Sequence, residues 1–163
     1  MDLRPFLSQL EHLKELTRVE GADWNLEIGA ITELSNEKKG PALLFDRIKG
    51  YPPGYRIVTN LMSTPRRLAI TFGFAPDISN VELVRLIKDR FKELRPVSPV
   101  YVPTGPLLEN IYEEGEVDLL KLPAPKWHEH DGGRYLGTGD MVIMKDPKGG
   151  WVNVGTYRVQ LHD

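Results

Sequence analysis

Four prolines stand close together in the middle of this chain, at Pro96, Pro99, Pro103 and Pro106. Proline lacks the backbone N–H that helices and sheet ladders use, and it restricts the residue before it to extended conformations. Residues 95–106 are therefore predicted to form an extended connector that divides the chain. We predict an α+β protein with an N-terminal α/β module over residues 1–105 and a β-rich second part over residues 106–163.

The N-terminal module shows alternating helical and strand patterns. Apolar residues from Leu3 to Leu16 recur at steps of three and four, which is one face of a helix. The predicted elements, in order, are this helix with Asp2 as its cap or first-turn acid, a strand over 17–20, a helix capped by Asp23, and strands over 42–48 and 55–61.

Two further helices have sharper start signals. Thr64 followed by Pro65 is a cap with proline at the first helical position, and Gly73 is placed to end the helix. Ser79 followed three residues later by Glu82 matches a capping box, which predicts a helix that runs to Leu94.

The second part ends in two β-like runs, over 135–146 and 150–161, joined by the turn sequence Pro-Lys-Gly-Gly. These runs predict an antiparallel hairpin. A hairpin of two strands is marginal in water, because its apolar face and its edges have nothing to pack against. We therefore expect more chain, or a partner, to complete the β structure.

Composition excludes several classes of protein. The net charge is −2, with 21 Lys and Arg against 23 Asp and Glu, so no basic field attracts nucleic acid. The chain has no cysteine, which removes disulfides and thiolate chemistry. No window is apolar enough for a membrane span, and the N-terminus lacks the apolar core of a signal peptide. A cytoplasmic protein without membrane or nucleic-acid partners is expected.

The last strand carries two polar residues suited to ligand chemistry, Asn153 and Arg158. They are five residues apart, so an unbroken strand points them to opposite faces, whereas a bulge at Gly155 would bring them to one face. An arginine suits a carboxylate or phosphate, and an amide oxygen suits Mg²⁺ or Mn²⁺. On these residues alone, a rim charge and a strand-end amide are the favoured interpretation.

A second polar segment includes His128, Glu129, His130 and Asp131. It suggests a metal site, but its spacing is not that of a helical zinc motif, and Gly-Gly follows directly. A solvated polar loop is favoured. The acidic run over 109–118 is likewise best interpreted as a solvated connector.

Several segments together resemble, in order, the N-terminal part of the UbiD family of decarboxylases. The segments are DLRPFLSQLEHLKELTRV, LEIGAIT, GPALLFDRIKGYP, TNLMSTPRRLAITFG, LPAPKWHEHDGGRYLGTG and NVGTYRVQLHD. The resemblance implies reversible, non-oxidative decarboxylation of an aromatic, heteroaromatic or α,β-unsaturated carboxylic acid. It also implies prenylated FMN as cofactor, held with Mn²⁺ and often K⁺ in a split β-barrel whose first strands would be the hairpin.

The resemblance also assigns roles to residues of the last strand. It implies that Asn153 is a ligand of the metal that bridges to the cofactor phosphate. It implies that the backbone of Gly155, Thr156 and Tyr157 lines the flavin. Arg158 then lies beside the cofactor as a catalytic residue, paired with two acidic residues.

Members of the family are considerably longer than this chain, and their remaining metal ligands and both catalytic glutamates lie beyond the arginine motif. The chain is therefore expected to be inactive alone and to need the C-terminal part of the same enzyme, or a catalytic partner chain. The complete protein is expected to be a homo-oligomer that binds a small carboxylic acid. Two alternatives stay open, a non-catalytic assembly subunit of a split enzyme and plain flavin binding.

Overall fold

The structure is a computed structural model that describes residues 2–98 and 100–162. It contains both helices and small sheets, so the predicted α+β class is confirmed. The chain divides into two compact units, one formed by residues 1–63 with 119–163 and the other by residues 64–118. The predicted domain boundary after residue 105 and the split barrel stay predictions.

The first unit contains a three-stranded sheet of β1 (Leu16–Glu20), β2 (Ala42–Asp46) and β3 (Ile57–Thr59), in the order β1-β2-β3. β1 runs parallel to β2, and β3 runs antiparallel to it. Strand β2 is covered on both faces, because its residues from Ala42 to Phe45 are all buried. The hydrophobic core forms around β2. The buried residues of this core are Ala22, Ile28, Leu43, Phe45 and Ile48.

The first helix, α1 (Leu3–His12), is shorter than its apolar pattern predicts. Asp2 is at the N-cap position, as predicted, but its side chain makes no capping hydrogen bond. Lys14 has a positive φ of 58°, and the N–H of Glu15 donates back to the carbonyl of Leu10 at 2.7 Å. This left-handed turn ends the helix, so that Leu16 begins β1 instead of extending the helical face.

The second helix, α2 (Glu27–Glu37), has Leu26 at its N-cap position, three residues later than the predicted cap. The predicted cap, Asp23, instead accepts a hydrogen bond from the N–H of Asn25 at 2.8 Å, which closes a local turn. Leu26 then has a positive φ of 68°, and its N–H donates to the carbonyl of Lys126 at 2.9 Å. The distant segment around Lys126 therefore decides where α2 begins, and the Asp23 cap prediction is wrong.

The first unit also contains the predicted hairpin, a two-stranded antiparallel ribbon of β4 (Arg134–Lys145) and β5 (Val152–Leu161). Asp146 organises the turn. Its carboxylate accepts from the N–H groups of Lys148 and Gly149, and Gly150 has a positive φ of 67°.

The pairing of the ribbon is irregular at two places, between Tyr135 and Gly137 and between Gly137 and Asp140. At both places the extra residue is on β4, while β5 pairs one-to-one from Val152 to Tyr157. The bulges therefore lie on β4, and β5 has no bulge at Gly155.

The second unit contains α3 (Pro65–Thr71) and α4 (Asn80–Glu93). Both predicted caps are confirmed: Thr64 accepts from the N–H of Arg67 at 3.3 Å, and Ser79 accepts from the N–H of Glu82 at 3.2 Å. Residues 95–98 and 100–105 form neither helix nor strand, as their prolines predict.

Three short 3₁₀ turns follow in the chain, at Pro106–Leu108, Glu114–Glu116 and Leu119–Lys121. Among all the helices described, none is both long and apolar enough to cross a membrane.

Candidate functional site

A recess of about 720 Å³ opens in the first unit, between the ribbon and the N-terminal part of that unit, residues 2–63, which is called the module below. Helix α2, strand β3 and the turn before β4 form one side, and the bulged part of the ribbon forms the other. The polar residues that line it are Thr32, Glu33, Thr59, Asn60, His128, Asp131, Tyr135, Thr138, Asp140 and Arg158.

The module side of the recess is held by hydrogen bonds between neighbouring elements. The hydroxyl groups of Thr32 and Thr59 are 3.1 Å apart, and the side-chain amide of Asn60 donates to the carbonyl of Thr32 at 2.9 Å. These contacts join α2 to the end of β3, so this wall is a fixed surface.

The ribbon is joined to the module at a close approach between α2 and Trp127. A Cβ atom on Gly29 would collide with the backbone carbonyl of Trp127, so only glycine permits this distance. The N–H of Lys126 also donates to the carbonyl of Trp24 at 3.0 Å. The segment that leads into β4 is therefore fixed by backbone contacts.

Arg134, the first residue of β4, provides a second anchor. Its Nε donates to the carbonyl of Ala124 at 2.7 Å, and its Nη2 donates to the hydroxyl of Tyr51. Its guanidinium also lies over the ring of Trp24, 4.1 Å from the centroid. Cation–π contact and hydrogen bonds together hold the start of the ribbon on the core.

Arg158 is the cation on the ribbon side of the recess. The bulge on β4 places Thr138 and Gly139 opposite it, between the pairs that join Gly137 to Val159 and Asp140 to Tyr157. Its side chain is exposed. Across residues 2–98 and 100–162 the structure shows no ion pair to Arg158, so its guanidinium can bind an anion in the recess.

The other predicted site residues lie on both faces of β5. Asn153 pairs with Met144, Gly155 with Val142 and Tyr157 with Asp140, so the side chains of Asn153 and Tyr157 share one face. Arg158 points to the opposite face, which is the face of Thr156. The structure brings Arg158 into the recess, whereas Asn153 is not among the described residues that line it.

Gly155 lies directly beside the ring of Tyr157. A Cβ atom at Gly155 would approach ring carbon Cζ and the hydroxyl oxygen to 3.0 Å. The space that the glycine leaves open is therefore occupied by this ring, and a flavin reaching the backbone at Gly155 would require Tyr157 to rotate.

The turn before β4 presents His128 to α2. Its Nε2 is 2.8 Å from Oε1 of Glu33, and its backbone N–H donates to Asp131 at 3.0 Å. The hydrogen bond with Glu33, aided by the negative charges of Glu33 and Asp131, raises the pKa of His128 above its ordinary value of 6.5, although desolvation opposes the shift. The predicted polar loop is therefore ordered by contacts with the module.

Two buried polar atoms of recess residues, Trp127 Nε1 and Asp140 Oδ2, have no hydrogen-bond partner within the part of the chain that the structure describes. A buried donor or acceptor without a partner is costly, and it points to a further group that would satisfy it.

The residues present fit an anion better than a metal. In residues 2–98 and 100–162, no group of three or more His, Asp or Glu side chains is arranged to hold a metal ion. A single amide oxygen from Asn153 binds Mn²⁺ weakly, because affinity requires several ligands around the ion. These residues therefore do not form a complete manganese site by themselves.

Sequence reasoning missed Glu33 and Arg134 as parts of this region. Glu33 is one exposed acid among several on α2, and only the folded contact with His128 distinguishes it. Arg134 follows the Gly-Gly pair and precedes an apolar run, which is a weak signal for an arginine that packs against aromatic rings.

Two family models match the chain. The 3-octaprenyl-4-hydroxybenzoate carboxy-lyase N-terminal domain matches residues 7–87, and the Rift-related domain of the same carboxy-lyase matches residues 100–163. Together they cover most of the chain.

Named relatives are decarboxylases. The chain is 33% identical to pyrrole-2-carboxylic acid decarboxylase of Pseudomonas aeruginosa and 31% identical to ferulic acid decarboxylase 1 of Saccharomyces cerevisiae. In both comparisons all of this chain is aligned, against 34% of the relative. The chain therefore spans about a third of the length of these relatives.

Solved structures of vanillic acid decarboxylase from Sedimentibacter hydroxybenzoicus have the same fold. The closed form superposes with a TM-score of 0.88 at 31% identity, and an open form with a TM-score of 0.84 at 32% identity. Each comparison covers 99% of this chain and about a third of the other, 35% and 34% respectively.

Proposed function

Since the chain belongs to the UbiD family of carboxy-lyases, we propose that the protein it forms catalyses reversible, non-oxidative decarboxylation of a carboxylic acid. The carboxyl group would be attached to an aromatic, heteroaromatic or α,β-unsaturated carbon. The relatives support this range, because they are named for a pyrrole acid, for ferulic acid and for vanillic acid.

The observation that carries the proposal is the position of Arg158. Its exposed guanidinium lines the recess of about 720 Å³, and within the described residues it has no carboxylate partner. A guanidinium donates two parallel N–H bonds to a carboxylate, which fixes the orientation of the acid as well as binding it. Arg158 would therefore hold the substrate carboxylate in a defined pose. Its charge also favours the ionised form of an acid placed beside it.

Prenylated FMN is the cofactor that we propose, and when bound it would accept the electron pair released as carbon dioxide leaves. The backbone of Gly155, Thr156 and Tyr157 would line it, beside Arg158. Asn153 would contribute one ligand to Mn²⁺ at the cofactor phosphate, with K⁺ as a second ion. The other ligands, and the acids that exchange the proton, would come from outside this chain, as its length relative to its family supports.

The experiment uses the complete gene product, isolated untagged from its source, and compares it with variants. The mass, flavin spectrum and manganese content of the protein are measured first. Release of carbon dioxide is then measured with aromatic, heteroaromatic and α,β-unsaturated acids. Arg158→Ala is expected to lower turnover about 100- to 1000-fold, because it removes a charged group aimed at the reacting carboxylate.

Arg18→Ala is the matched control, since Arg18 is an exposed strand arginine whose pairing is with Glu11, away from the recess. It should leave turnover unchanged. Near-normal turnover in Arg158→Ala would remove Arg158 from the mechanism. A flavin-free species of 18.5 kDa would instead support the alternative of a non-catalytic assembly subunit.

A further inference from the structure

Glu33 and His128 meet beside the joint between module and ribbon, which is the close contact of Gly29 with the backbone of Trp127. Gly29 and Glu33 are four residues apart on α2, so they lie one turn apart on the same face of the helix. Gly29 contacts the backbone of Trp127, and Glu33 contacts the next residue, His128, at 2.8 Å. The side-chain pair therefore extends the backbone contact by one helical turn, and both of its residues line the recess.

The imidazole of His128 is held in place by its own turn. The N–H of Asp131 donates to the carbonyl of His128 at 3.2 Å, while the carboxylate of Asp131 accepts from the N–H of His128 at 3.0 Å. The same carboxylate is 3.6 Å from Nδ1 of the ring. With Nδ1 facing one acid and Nε2 facing another, the ring binds most strongly when both nitrogens carry protons.

We infer that Glu33 and His128 are positioning residues which form a pH-responsive clamp across one edge of the recess that contains Arg158. The clamp closes when His128 is protonated and loosens when it is neutral. It thereby sets how firmly the turn before β4, and with it the bulged stretch that faces Arg158, is held against α2. The inference does not depend on the proposed decarboxylation.

The direction of the pH effect follows from the charges around the ring. The titratable or charged residues that face His128 or line the recess are Glu33 on α2, Asp131 in the turn, Tyr135 and Asp140 on β4, and Arg158 on β5. Strand β3 contributes Ile57, Val58 and Thr59, which carry no charge. Of these groups, Glu33 and Asp131 are the ones that raise the pKa of His128.

Because the pKa of His128 is higher in the folded state, the stabilisation from the clamp is complete below the ordinary value of 6.5. It is lost as the pH rises through the raised, folded value. The side chains are 57% and 63% exposed, so the effect is that of a solvent-screened ion pair.

Hydrogen–deuterium exchange of the complete gene product, followed by mass spectrometry at about pH 5.5 and about pH 8.5, tests the clamp. After correction for the intrinsic pH dependence of exchange, the segment 128–136 should be protected about two- to fivefold more at the lower pH. In Glu33→Gln this difference should shrink by about half or more, the remainder coming from Asp131.

Two matched variants serve as controls. Glu37→Gln removes an exposed acid from the last residue of the same helix, and His130→Ala removes an exposed imidazole from the same turn. Both controls should keep the full difference in protection of segment 128–136 between the two pH values. The inference is overturned if Glu33→Gln keeps this full difference in protection, or if either control loses as much of it as Glu33→Gln does. Exchange is measured without turnover, so an inactive protein leaves this result intact.

Discussion

The three-stranded sheet and the two-stranded ribbon belong to the same unit, but the central strand of the sheet buries its apolar side chains and the ribbon exposes apolar side chains. In β2 the residues from Ala42 to Phe45 are between 0% and 4% exposed. In the ribbon Met141 is 72% exposed and Ile143 is 61% exposed. Both regions have strand-forming sequences, so the difference lies in what covers them.

This difference separates stability from site geometry. Burial of a large apolar side chain contributes about 1.5–3 kcal/mol, so the sheet supplies the stability of the unit and the ribbon adds little. The ribbon nevertheless carries Arg158, whose position depends on the joint at Gly29 and the anchor at Arg134. The ribbon therefore provides Arg158 to the candidate site, and the packed core of the unit must hold the ribbon in place.

The largest expected effect is in the sheet. Phe45→Ala should lower the free energy of unfolding of the 163-residue chain by about 3–5 kcal/mol, because Phe45 is fully buried in the core. Urea unfolding followed by circular dichroism measures this loss. A loss below about 1 kcal/mol would mean that the sheet does not supply the stability, and the comparison would fail.

An intermediate effect is expected at the joint. Gly29→Ala should lower the free energy of unfolding by about 1–3 kcal/mol, because the new Cβ must displace the backbone of Trp127. The loss is expected although alanine favours helices. Urea unfolding followed by tryptophan fluorescence measures this loss. Asn36→Ala, at an exposed position of the same helix, is the control and should be neutral or stabilising. Equal stability of Gly29→Ala and the parent would show that the joint is loose.

The smallest effect is expected in the ribbon. Ile143→Ala should change the free energy of unfolding of the 163-residue chain by no more than about 0.5 kcal/mol, because the side chain is already exposed to water. The same urea titration measures it. A loss of about 2 kcal/mol or more would mean that something covers this face of the ribbon in solution, and the contrast with β2 would disappear.

Much of the secondary structure could be predicted because its signals are local. The Thr64-Pro65 and Ser79 starts depend on hydrogen bonds within one helical turn, and the turn at Asp146 depends on its own neighbours. The cap at Asp23 failed for the opposite reason. There the N–H of Leu26 bonds to Lys126, a hundred residues away in the chain, and that contact moves the start of the helix.

The candidate site could be predicted only in part. The spacing of Asn153 and Arg158 on an unbroken strand correctly places them on opposite faces, but the position of the bulges on β4 was not visible. A bulge depends on which residues of two strands pair, and neither strand alone specifies that pairing. The residues that the family resemblance assigns to metal and flavin stay predictions.

The sequence by itself determined the starts of α3 and α4, the lack of helix and strand in the described part of the proline segment, and the hairpin, because each depends on hydrogen bonds or steric limits within a few residues. It also carried the family, through several motifs in a fixed order. Only the tertiary structure decided that Glu33 meets His128, that Gly29 lies against Trp127, and that Arg158 faces a recess. Those contacts join residues far apart in the chain, and their geometry exists only once the core has packed.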